Sequence, residues 1–393
     1  MKLLDQRISE IKDELIGIRK DLHRKPELGF QEYHTAAEVA GYLKRLGLEV
    51  ATGIGGTGVI GLLRGENPGP TIALRACLDA LAVEEQSGVE YSSENSGVMH
   101  ACGHDGNMTM VLGAANILSQ YKEQLNGNVK FIFQPSEENT GGAAEIIKAG
   151  GLKAPEVDAI VTPHNWHGLR QGVMVVKPGP VMASSDIFQL KIIGKPGHGA
   201  WPHLAVDPIV VAADVISGLR SIISREIDPL NAALITIGRI YGGTAVNIIS
   251  EAVTLDGTVR TFDPDMRDFI QTRIEEIAEG VTQAARATYE LTYNRIMPPV
   301  NNDVQLTADI KEILTDAFEP GMVTDAFKPS MGCEEFSLFQ EQVPGLFLFI
   351  GNDKEGCETV PIHAPNYVFN DEIITVGVKA LCEIVFGYFA KKL

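Results

Sequence analysis

Apolar runs of strand length alternate with helical segments through the first part of the chain, and this alternation restricts the possible folds most. Residues 71–75, 129–133 and 158–162 predict strands, whereas residues 107–121 and 142–149 predict helices. Helices that separate buried strands in this way are typical of α/β proteins, in which helices cover a parallel sheet. The sequence therefore predicts an α/β fold with a core built on a parallel sheet.

The middle of the chain has a different order of elements. Strands are predicted near 188–192, 232–241, 251–262 and 290–296, with one helix after the first strand and one before the last. Both helices begin with an aspartate cap followed by proline, at Asp207-Pro208 and Asp263-Pro264, a combination that favours a helix start. The order β-α-β-β-α-β is that of a compact split unit of the ferredoxin-like type.

After Pro298-Pro299 the α/β pattern resumes, with helices near 304–318 and 334–342, a strand at 345–350 and a closing helix from about Asn370. The middle unit is therefore predicted to be an insertion. We expect two domains, a discontinuous α/β domain of residues 1–182 and 297–393 and an inserted domain of residues 183–296, with borders set to within about four residues.

Charge and composition argue against several classes of partner. Asp and Glu number 51 against 33 Lys and Arg, a net charge of −18, so the surface repels nucleic-acid phosphates and anionic lipids. We therefore expect neither nucleic acid nor a membrane as a partner.

Residues 1–25 predict an amphipathic helix rather than a signal peptide, and the sequence contains no run of about 18 apolar residues. Five cysteines, unevenly spaced, argue against a disulfide framework, and a cytoplasmic protein is expected.

Potential metal ligands cluster where the predicted strands end, which is where open α/β sheets bind their ligands. These residues are Cys102, His104, Glu138, His164 and His363. One sulfur, one carboxylate and three imidazoles suit Zn²⁺ or a similar ion such as Mn²⁺, Co²⁺ or Ni²⁺ better than Ca²⁺ or Mg²⁺. Five ligands exceed one tetrahedral shell, and with a bridging water they can hold two ions about 3.5–4 Å apart.

Glu137, next to the predicted ligand Glu138, is the natural general base. A metal ion lowers the pKa of bound water to about 7, and Glu137 would take the proton as water attacks a carbonyl and then give it to the leaving nitrogen. Asp79 and Asp105 are candidate hydrogen-bond acceptors that fix the orientation of the ligand imidazoles. A single buried His or Cys is more often packing than a ligand, and we interpret Cys77 as core packing. The metal site is predicted from the convergence of the whole set.

A second motif suggests a different class of protein. Gly53-x-Gly55-x-x-Gly58 matches the dinucleotide-binding fingerprint, which would favour an oxidoreductase. Residues 59–63 that follow are β-branched and strand-like, where that fingerprint requires a helix. The glycines therefore predict a hairpin turn.

Several motifs share their order and approximate spacing with one enzyme family. They are Met99-His100-Ala101-Cys102-Gly103-His104-Asp105, Gln134-Pro135-Ser136-Glu137-Glu138, Gly197-His198-Gly199-Ala200-Trp201-Pro202-His203, Gly332-Cys333-Glu334-Glu335-Phe336 and His363-Ala364-Pro365. Together they resemble the dinuclear metallo-aminoacylase/carboxypeptidase family, in its branch of hippurate hydrolase, auxin-conjugate amidohydrolases and N-acetyldiaminopimelate deacetylase. Leu22-His23-Arg24-Lys25-Pro26-Glu27-Leu28 also resembles the opening motif of that branch.

The resemblance implies roles for particular residues. It assigns metal ligation to the five predicted ligands and the acid/base role to Glu137. His198 matches an inserted-domain histidine that helps to polarise the scissile carbonyl, often across a dimer interface. Asn247 and Arg260 match positions that contact the carboxylate of the substrate. The resemblance also implies that the inserted domain acts as a lid and a dimerisation domain, so a homodimer or a higher oligomer is expected.

The chain departs from the family pattern near the predicted site. Relatives usually have Asp, Pro and His where this chain has Cys77, Ala82 and Asn107, and usually Ser and Asp where it has Cys333 and Glu335. The five predicted ligands are unchanged. These departures bear on the choice of substrate and metal more than on the reaction.

The predicted reaction is the hydrolysis of the amide bond of an N-acyl amino acid, such as an N-acetyl or N-benzoyl derivative, by two divalent metal ions. Mn²⁺ or Zn²⁺ is expected, with Co²⁺ and Ni²⁺ as alternatives. The first alternative function is a dipeptidase or carboxypeptidase with the same two-metal site. The others are the oxidoreductase built on the glycine motif and a non-catalytic protein that has kept the metal site.

Overall fold

The strands predicted in the first part of the chain form the centre of an eight-stranded sheet. The computed structural model describes residues 2–392. Its helices are α1 (Lys2–Arg24), α2 (Tyr33–Arg45), α3 (His104–Ser119), α4 (Gly142–Lys148), α5 (Pro208–Ser221), α6 (Pro264–Ala284), α7 (Val304–Ala317), α8 (Phe336–Gln340) and α9 (Ile373–Lys392). Short helical turns lie at Lys122–Gln124, Pro202–Leu204 and Ile222–Glu226.

The strands are β1 (Glu49–Ile54), β2 (Gly58–Arg64), β3 (Asn67–Cys77), β4 (Asn126–Gln134), β5 (Ala159–Arg170), β6 (Met174–Val175), β7 (Gly179–Met182), β8 (Ser185–Ile193), β9 (Gly197–His198), β10 (Ala233–Gly242), β11 (Ile248–Ile249), β12 (Ala252–Thr261), β13 (Thr288–Met297), β14 (Val300–Asn302), β15 (Val323–Thr324) and β16 (Gly345–Asp353).

The chain divides into two compact units. The first unit comprises three segments: the described residues up to Gly179, Asn301–Lys328, and the described residues from Glu335 onward. The second unit comprises Pro180–Val300 and Pro329–Glu334. The sequence-based division assigns residues 329–334 to the discontinuous domain, and here it differs from the structure. The reason lies in the backbone, because Ser330 N–H donates to Val181 O at 3.0 Å and Ala183 N–H donates to Gly332 O at 2.9 Å.

The sheet of the first unit has the strand order β1-β2-β4-β3-β5-β16-β6-β15, and its four central strands β4, β3, β5 and β16 run parallel. The central strands are buried on both faces, as parallel strands covered by helices are. The α/β fold class predicted from the sequence is confirmed.

Helix α9 packs against α1, α3 and α7. It is long and apolar enough to span a membrane by length and composition alone, but 61% of its most apolar window is buried inside the protein.

Two local predictions have different outcomes. Strands β1 and β2 are antiparallel and pair Ile54 with Gly58, so the glycine motif forms a hairpin turn, as predicted. Strand β5, by contrast, continues to Arg170, well beyond the predicted end at 162. The extension follows from its parallel pairing with β16, which places Phe349 opposite His164. His164 therefore lies within a strand rather than after one.

The second unit has a four-stranded antiparallel sheet of order β10-β12-β8-β13. Helices α5 and α6 pack on this sheet, with Phe188, Leu190 and Ile192 among its fully buried residues. Both predicted aspartate caps form: Asp207 accepts from Ile209 N–H at 2.9 Å and Asp263 from Asp265 N–H at 2.8 Å. The element order of this unit is the split β-α-β-β-α-β pattern.

Candidate metal centre

The structure brings the five predicted ligands and Glu137 together in the first unit. Their donor atoms form overlapping groups in which all atoms lie within 4.8 Å of one another. These groups are Cys102 with His104 and His164, Cys102 with Glu138 and His363, and His104 with Glu137 and Glu138. Cys77, interpreted from the sequence as core packing, is buried and lies within the same distance of Asp79 and His104. Residues from well-separated stretches of the chain thus converge on one place.

Cys102 and Glu138 each lie between two imidazoles. The Cys102 Sγ atom is 3.4 Å from His363 Nε2 and 3.7 Å from His164 Nε2. The Glu138 Oε1 atom is 3.5 Å from His363 Nε2 and 3.9 Å from His104 Nε2. The His363 side chain is half-exposed, and its backbone φ is 70°. The His363 N–H donates to Ala101 O at 2.8 Å. Sulfur, oxygen and nitrogen donors therefore face one another across short gaps.

Backbone carbonyls set the orientation of two of the imidazoles. His104 Nδ1 lies 2.9 Å from Asp79 O, and His164 Nδ1 lies 2.7 Å from Asn165 O. A carbonyl oxygen only accepts hydrogen bonds, so each Nδ1 carries a proton and Nε2 is the ring nitrogen that remains to bind a metal ion. The predicted role of Asp79 as an orienting acceptor is thus filled first by its carbonyl, since its carboxylate Oδ1 is 3.5 Å from the ring.

Asp105 orients a different histidine from the one that the sequence suggests. Its Oδ2 atom accepts from His23 Nδ1 at 2.8 Å and from Arg19 at 3.2 Å, both on α1. The prediction that Asp105 supports a ligand imidazole is therefore wrong for the described geometry, because its carboxylate turns toward α1. Burial would raise the pKa of Asp105, but the charge and hydrogen bond of His23 and then the charge of Arg19 hold it well below its usual range.

The electrostatics of the cluster favour a bound cation. Burial raises the pKa of the Cys102 thiol well above its ordinary value and raises the pKa of the Glu138 carboxyl. Burial opposes charge on His104 as well, but Asp79 outweighs it and raises the pKa of His104 to about 9. Glu138 Oε1 and Asp79 Oδ1 are buried without a hydrogen-bond partner among the described residues, an arrangement that is costly unless a cation compensates it. The donor set therefore fits divalent ions of the zinc or manganese type.

Glu137 lies in the loop that joins β4 to α4 and is 8% exposed. Its Oε1 atom accepts from the backbone N–H of Glu335 at 3.3 Å. Two other carboxylates hold the same loop, because Ser136 N–H donates to Glu32 at 2.8 Å and Glu138 N–H donates to Asp79 Oδ2 at 2.8 Å. Glu32 carries no signal in the sequence that would mark this role, since it is separated from its partner by 104 residues.

The other predicted site residues lie in the second unit. His198 in β9 pairs with Ile248 in β11, and the next residue, Gly199, donates its N–H to Asn247 O at 2.8 Å. His198 and Asn247 are therefore neighbours, and both are exposed. His198 Nδ1 accepts from Ala200 N–H at 3.0 Å, and its ring lies 4.9 Å from that of Trp201. Arg260 in β12 is half-buried and donates to Met331 O at 3.2 Å.

Comparisons with known proteins identify the family of this chain. The family model described as peptidase family M20/M25/M40 matches residues 73–386. Thermostable carboxypeptidase 2 of Saccharolobus solfataricus is 37% identical over 379 residues, which cover 95% of each chain. The N-acyl-L-amino acid amidohydrolase of Geobacillus stearothermophilus is 40% identical over 296 residues, 75% of this chain and 80% of that protein.

A crystal structure from Bacillus subtilis, described as a dinuclear metal-binding peptidase from the M20 family, superimposes with a TM-score of 0.86 and 34% identity. The match covers 98% of this chain and all of that one. The site geometry, the family model and the full-length relatives lead to the same conclusion. The chain belongs to the peptidase family M20/M25/M40.

Proposed function

We propose that this protein hydrolyses the amide bond of N-acyl amino acids, releasing a carboxylic acid and a free amino acid. The protein is a hydrolase of carbon–nitrogen bonds, as family membership and the N-acyl-L-amino acid amidohydrolase relative support. The observation that carries the proposal is the convergence of one thiol, one carboxylate and three imidazoles beside the buried Glu137. Metal-dependent amide hydrolysis needs such a donor set and a base next to it.

Cys102, His104, Glu138, His164 and His363 would hold two divalent ions. The donor chemistry and the Bacillus subtilis structure described as dinuclear support two ions. When bound, such ions polarise a carbonyl oxygen and make attacking water more acidic. Mn²⁺ or Zn²⁺ is proposed as the native ion, with Co²⁺ and Ni²⁺ as alternatives, because imidazole, thiolate and carboxylate ligands suit all four.

The residues of this chain perform the proton transfers and hold the substrate. Glu137 takes a proton from the attacking water and passes it to the leaving nitrogen, so that the amine departs neutral. We assign to His198 the hydrogen bond to the oxygen of the scissile carbonyl and to Arg260 and Asn247 the recognition of the substrate carboxylate. A guanidinium suits a carboxylate because two parallel N–H groups match its two oxygens.

A dipeptidase or carboxypeptidase is the second candidate, which the Saccharolobus solfataricus carboxypeptidase favours. The two functions differ in the acyl part of the substrate, since a dipeptidase must accommodate a free amino terminus there. The oxidoreductase alternative fails because its glycine motif is a hairpin between two strands and therefore lacks the helix that receives a pyrophosphate.

The test is a substrate panel with a matched variant. The protein is loaded separately with Zn²⁺, Mn²⁺, Co²⁺ or Ni²⁺ and assayed on N-acetyl and N-benzoyl amino acids and on dipeptides. We expect faster hydrolysis of the N-acyl amino acids and a loss of activity on chelation. Glu137→Gln should lower kcat by at least about 100-fold while metal content stays at the wild-type level, because the amide keeps the shape but removes the base.

Two outcomes contradict these assignments. Equal turnover by Glu137→Gln and the wild-type protein would remove Glu137 as the base. Loss of metal together with activity in this variant, as expected instead for Glu138→Gln, would exchange the roles of the two glutamates. Preference for dipeptides over all N-acyl amino acids would establish the second candidate function.

We also propose that the protein forms a homodimer through its second unit and works in the cytoplasm. Exposed apolar side chains on β10 and α5, such as Ile240 and Val210, support the dimer. A reducing compartment is supported by the proposed ligand role of Cys102, which requires a free thiolate, and the cysteines of this chain are free.

A further inference from the structure

The loop that carries Glu137 and Glu138 has a backbone that its own residues disfavour. Ser136 and Thr140 have φ values of 46° and 62°, in the left-handed region that residues with a side chain seldom adopt. Gly142 begins α4 at a place where a Cβ atom would lie 1.6 Å from Pro135 O. Such a loop keeps its conformation only when neighbouring groups hold it.

Glu335 bonds to both ends of this loop. Its Oε2 atom accepts from Gln134 Nε2 at 2.8 Å, where β4 ends, and from Ala143 N–H at 2.9 Å, in the first turn of α4. Its Oε1 atom accepts from Gly141 N–H. Arg75 donates to Gln134 Oε1 at 2.6 Å, which fixes the amide of Gln134 with its NH₂ group toward Glu335. One carboxylate, only 1% exposed, thus joins the start and the end of the loop.

Glu335 also contacts the carboxylate of Glu137 directly through its backbone. The Glu335 N–H lies 3.3 Å from Glu137 Oε1 and so limits the rotation of that carboxylate. A general base must lie within hydrogen-bond reach of the proton it removes, and an error of about 1 Å in such a position can cost about 100-fold in rate. The backbone and the side chain of one residue therefore act on the same base.

We propose that Glu335 is the positioning residue for Glu137, a role that rests on the proposed function of Glu137 as the base. Its carboxylate fixes the ends of the loop, and its N–H fixes the rotation of the Glu137 side chain. The family that this sequence resembles usually has Asp at position 335, and the Asp side chain is one methylene shorter than that of Glu. The longer side chain of this protein spans the distance between Gln134 and α4, so the loop geometry depends on Glu at this position.

Glu335→Gln and Glu335→Asp test this role in the metal-loaded protein. The amide introduced by Glu335→Gln has one acceptor oxygen instead of two, and the shorter side chain of Glu335→Asp reaches only one end of the loop. We expect kcat on an N-acyl amino acid to fall about 100-fold for Glu335→Gln and about 10-fold for Glu335→Asp, with KM and metal content within about twofold of wild type. A fall in kcat in variants that stay folded and keep their metal distinguishes positioning from a role in folding alone. Glu341→Gln, at an exposed glutamate beyond α8, is the control and should match the wild-type protein.

Hydrogen exchange of the peptide covering residues 135–143 gives a readout that needs no substrate. Exchange there should be faster in both Glu335 variants and unchanged in Glu341→Gln. Unchanged exchange and wild-type kcat in either folded Glu335 variant would overturn the proposal, as would a loss of activity that follows loss of metal. If the wild-type protein hydrolyses none of the N-acyl substrates, the proposed function fails, while the exchange result still decides whether Glu335 holds the loop.

Discussion

At the scale of single residues, the proposed ligand His164 is held in place by two asparagines, Asn107 and Asn165. Asn107 Oδ1 accepts from Asn165 N–H at 3.0 Å, and the carbonyl of Asn165 accepts from His164 Nδ1 at 2.7 Å. Asn165 Nδ2 donates to the Tyr367 hydroxyl at 2.6 Å. Because the family that this sequence resembles usually has His at position 107, Asn107 is a feature of this chain that acts on His164 through the backbone of one residue, Asn165.

Asn107→Leu tests this connection because leucine is of broadly similar size to asparagine but accepts no hydrogen bond. The N–H of Asn165 would then be buried without a partner, which costs about 1–3 kcal/mol of unfolding free energy. His164 would lose part of its fixed orientation, and the affinity for Zn²⁺ should fall about 10- to 100-fold. Chelator competition measures the affinity, and urea unfolding of the metal-free protein measures the stability.

Asn116→Leu is the matched control on the same helix. Asn116 donates to the Tyr42 hydroxyl at 2.8 Å and lies farther along α3, away from the candidate metal centre. The control should lose stability and keep its metal affinity. If Asn107→Leu binds Zn²⁺ as tightly as the wild-type protein, Asn107 contributes to folding alone.

The sequence identifies side chains that can bind a metal ion, but it does not identify the groups that orient them. Cys102, His104 and Glu138 stand out because few residue types can bind a metal. Their supports include the carbonyls of Asp79 and Asn165, and every residue has a carbonyl. These supports become visible only when the fold brings the two stretches of chain together.

At the scale of secondary structure, a buried group of charges joins α1 to α3. Arg19 and His23 on the last turns of α1 both donate to Asp105 in the first turn of α3. Glu85 accepts from the other nitrogen of His23 at 3.2 Å, and the ring of Tyr91 lies 4.4 Å from the Arg19 guanidinium carbon. This group fixes the end of α3 that carries His104. An aspartate in the first turn is also favoured by the helix dipole.

The stability of this junction should depend on pH through His23. Burial opposes its charge, but the Asp105 and Glu85 carboxylates outweigh burial and raise the pKa of His23 from 6.5 to about 9. Because the pKa is higher in the folded state, the stabilisation is complete below pH 6.5 and is lost as the pH rises through about 9. We expect the difference in unfolding free energy between wild type and His23→Gln to be largest near pH 6 and to shrink toward pH 9.

Urea unfolding of both proteins at pH 6, 7.5 and 9 measures this difference. The subtraction is needed because other groups titrate in the same range, among them Lys130, whose pKa burial lowers to about 8. His203→Gln, at an exposed histidine of the second unit, controls for the substitution itself and should leave the pH dependence unchanged. A difference that is constant from pH 6 to 9 would show that folding does not raise the pKa of His23.

Elements with local signals are the ones that the sequence predicts well. Helices α5 and α6 begin where an aspartate cap meets a proline, and both caps form as hydrogen bonds. The end of β5 has no such local signal, because Arg170 is in the strand through its pairing with β16, which lies far along the chain. Sequence patterns therefore fix the starts of helices better than the ends of strands.

At the scale of the whole molecule, the chain builds one unit from its first and last parts and a second unit from its middle. The candidate metal centre combines Cys102 with His363, which lie on opposite sides of the insertion in the sequence, so it needs both parts of the first unit. The alternation of strands and helices predicts this division because the pattern stops at one point and resumes at another. The sequence pattern does not predict that residues 329–334 belong to the second unit. They do so through backbone hydrogen bonds, which any residue can form.

The second unit has an exposed apolar surface that a second copy of the chain can cover. Ile240 and Tyr241 on the edge strand β10 are 59% and 52% exposed, and Val210 on α5 is 58% exposed. An edge strand with apolar side chains tends to pair with another strand, and such patches commonly mark interfaces. We therefore expect the wild-type protein to have twice the chain mass of 42.5 kDa in solution.

The double variant Val210→Lys/Ile240→Lys should convert the proposed dimer to a monomer, because it places charges on the proposed interface, where their desolvation is costly. Light scattering coupled to size-exclusion chromatography at micromolar concentration measures the mass. Val304→Lys, which changes an exposed valine of the first unit, is the control and should remain a dimer. A dimer that survives both lysines would place the contact on another surface, and a monomeric wild-type protein would remove the dimer altogether.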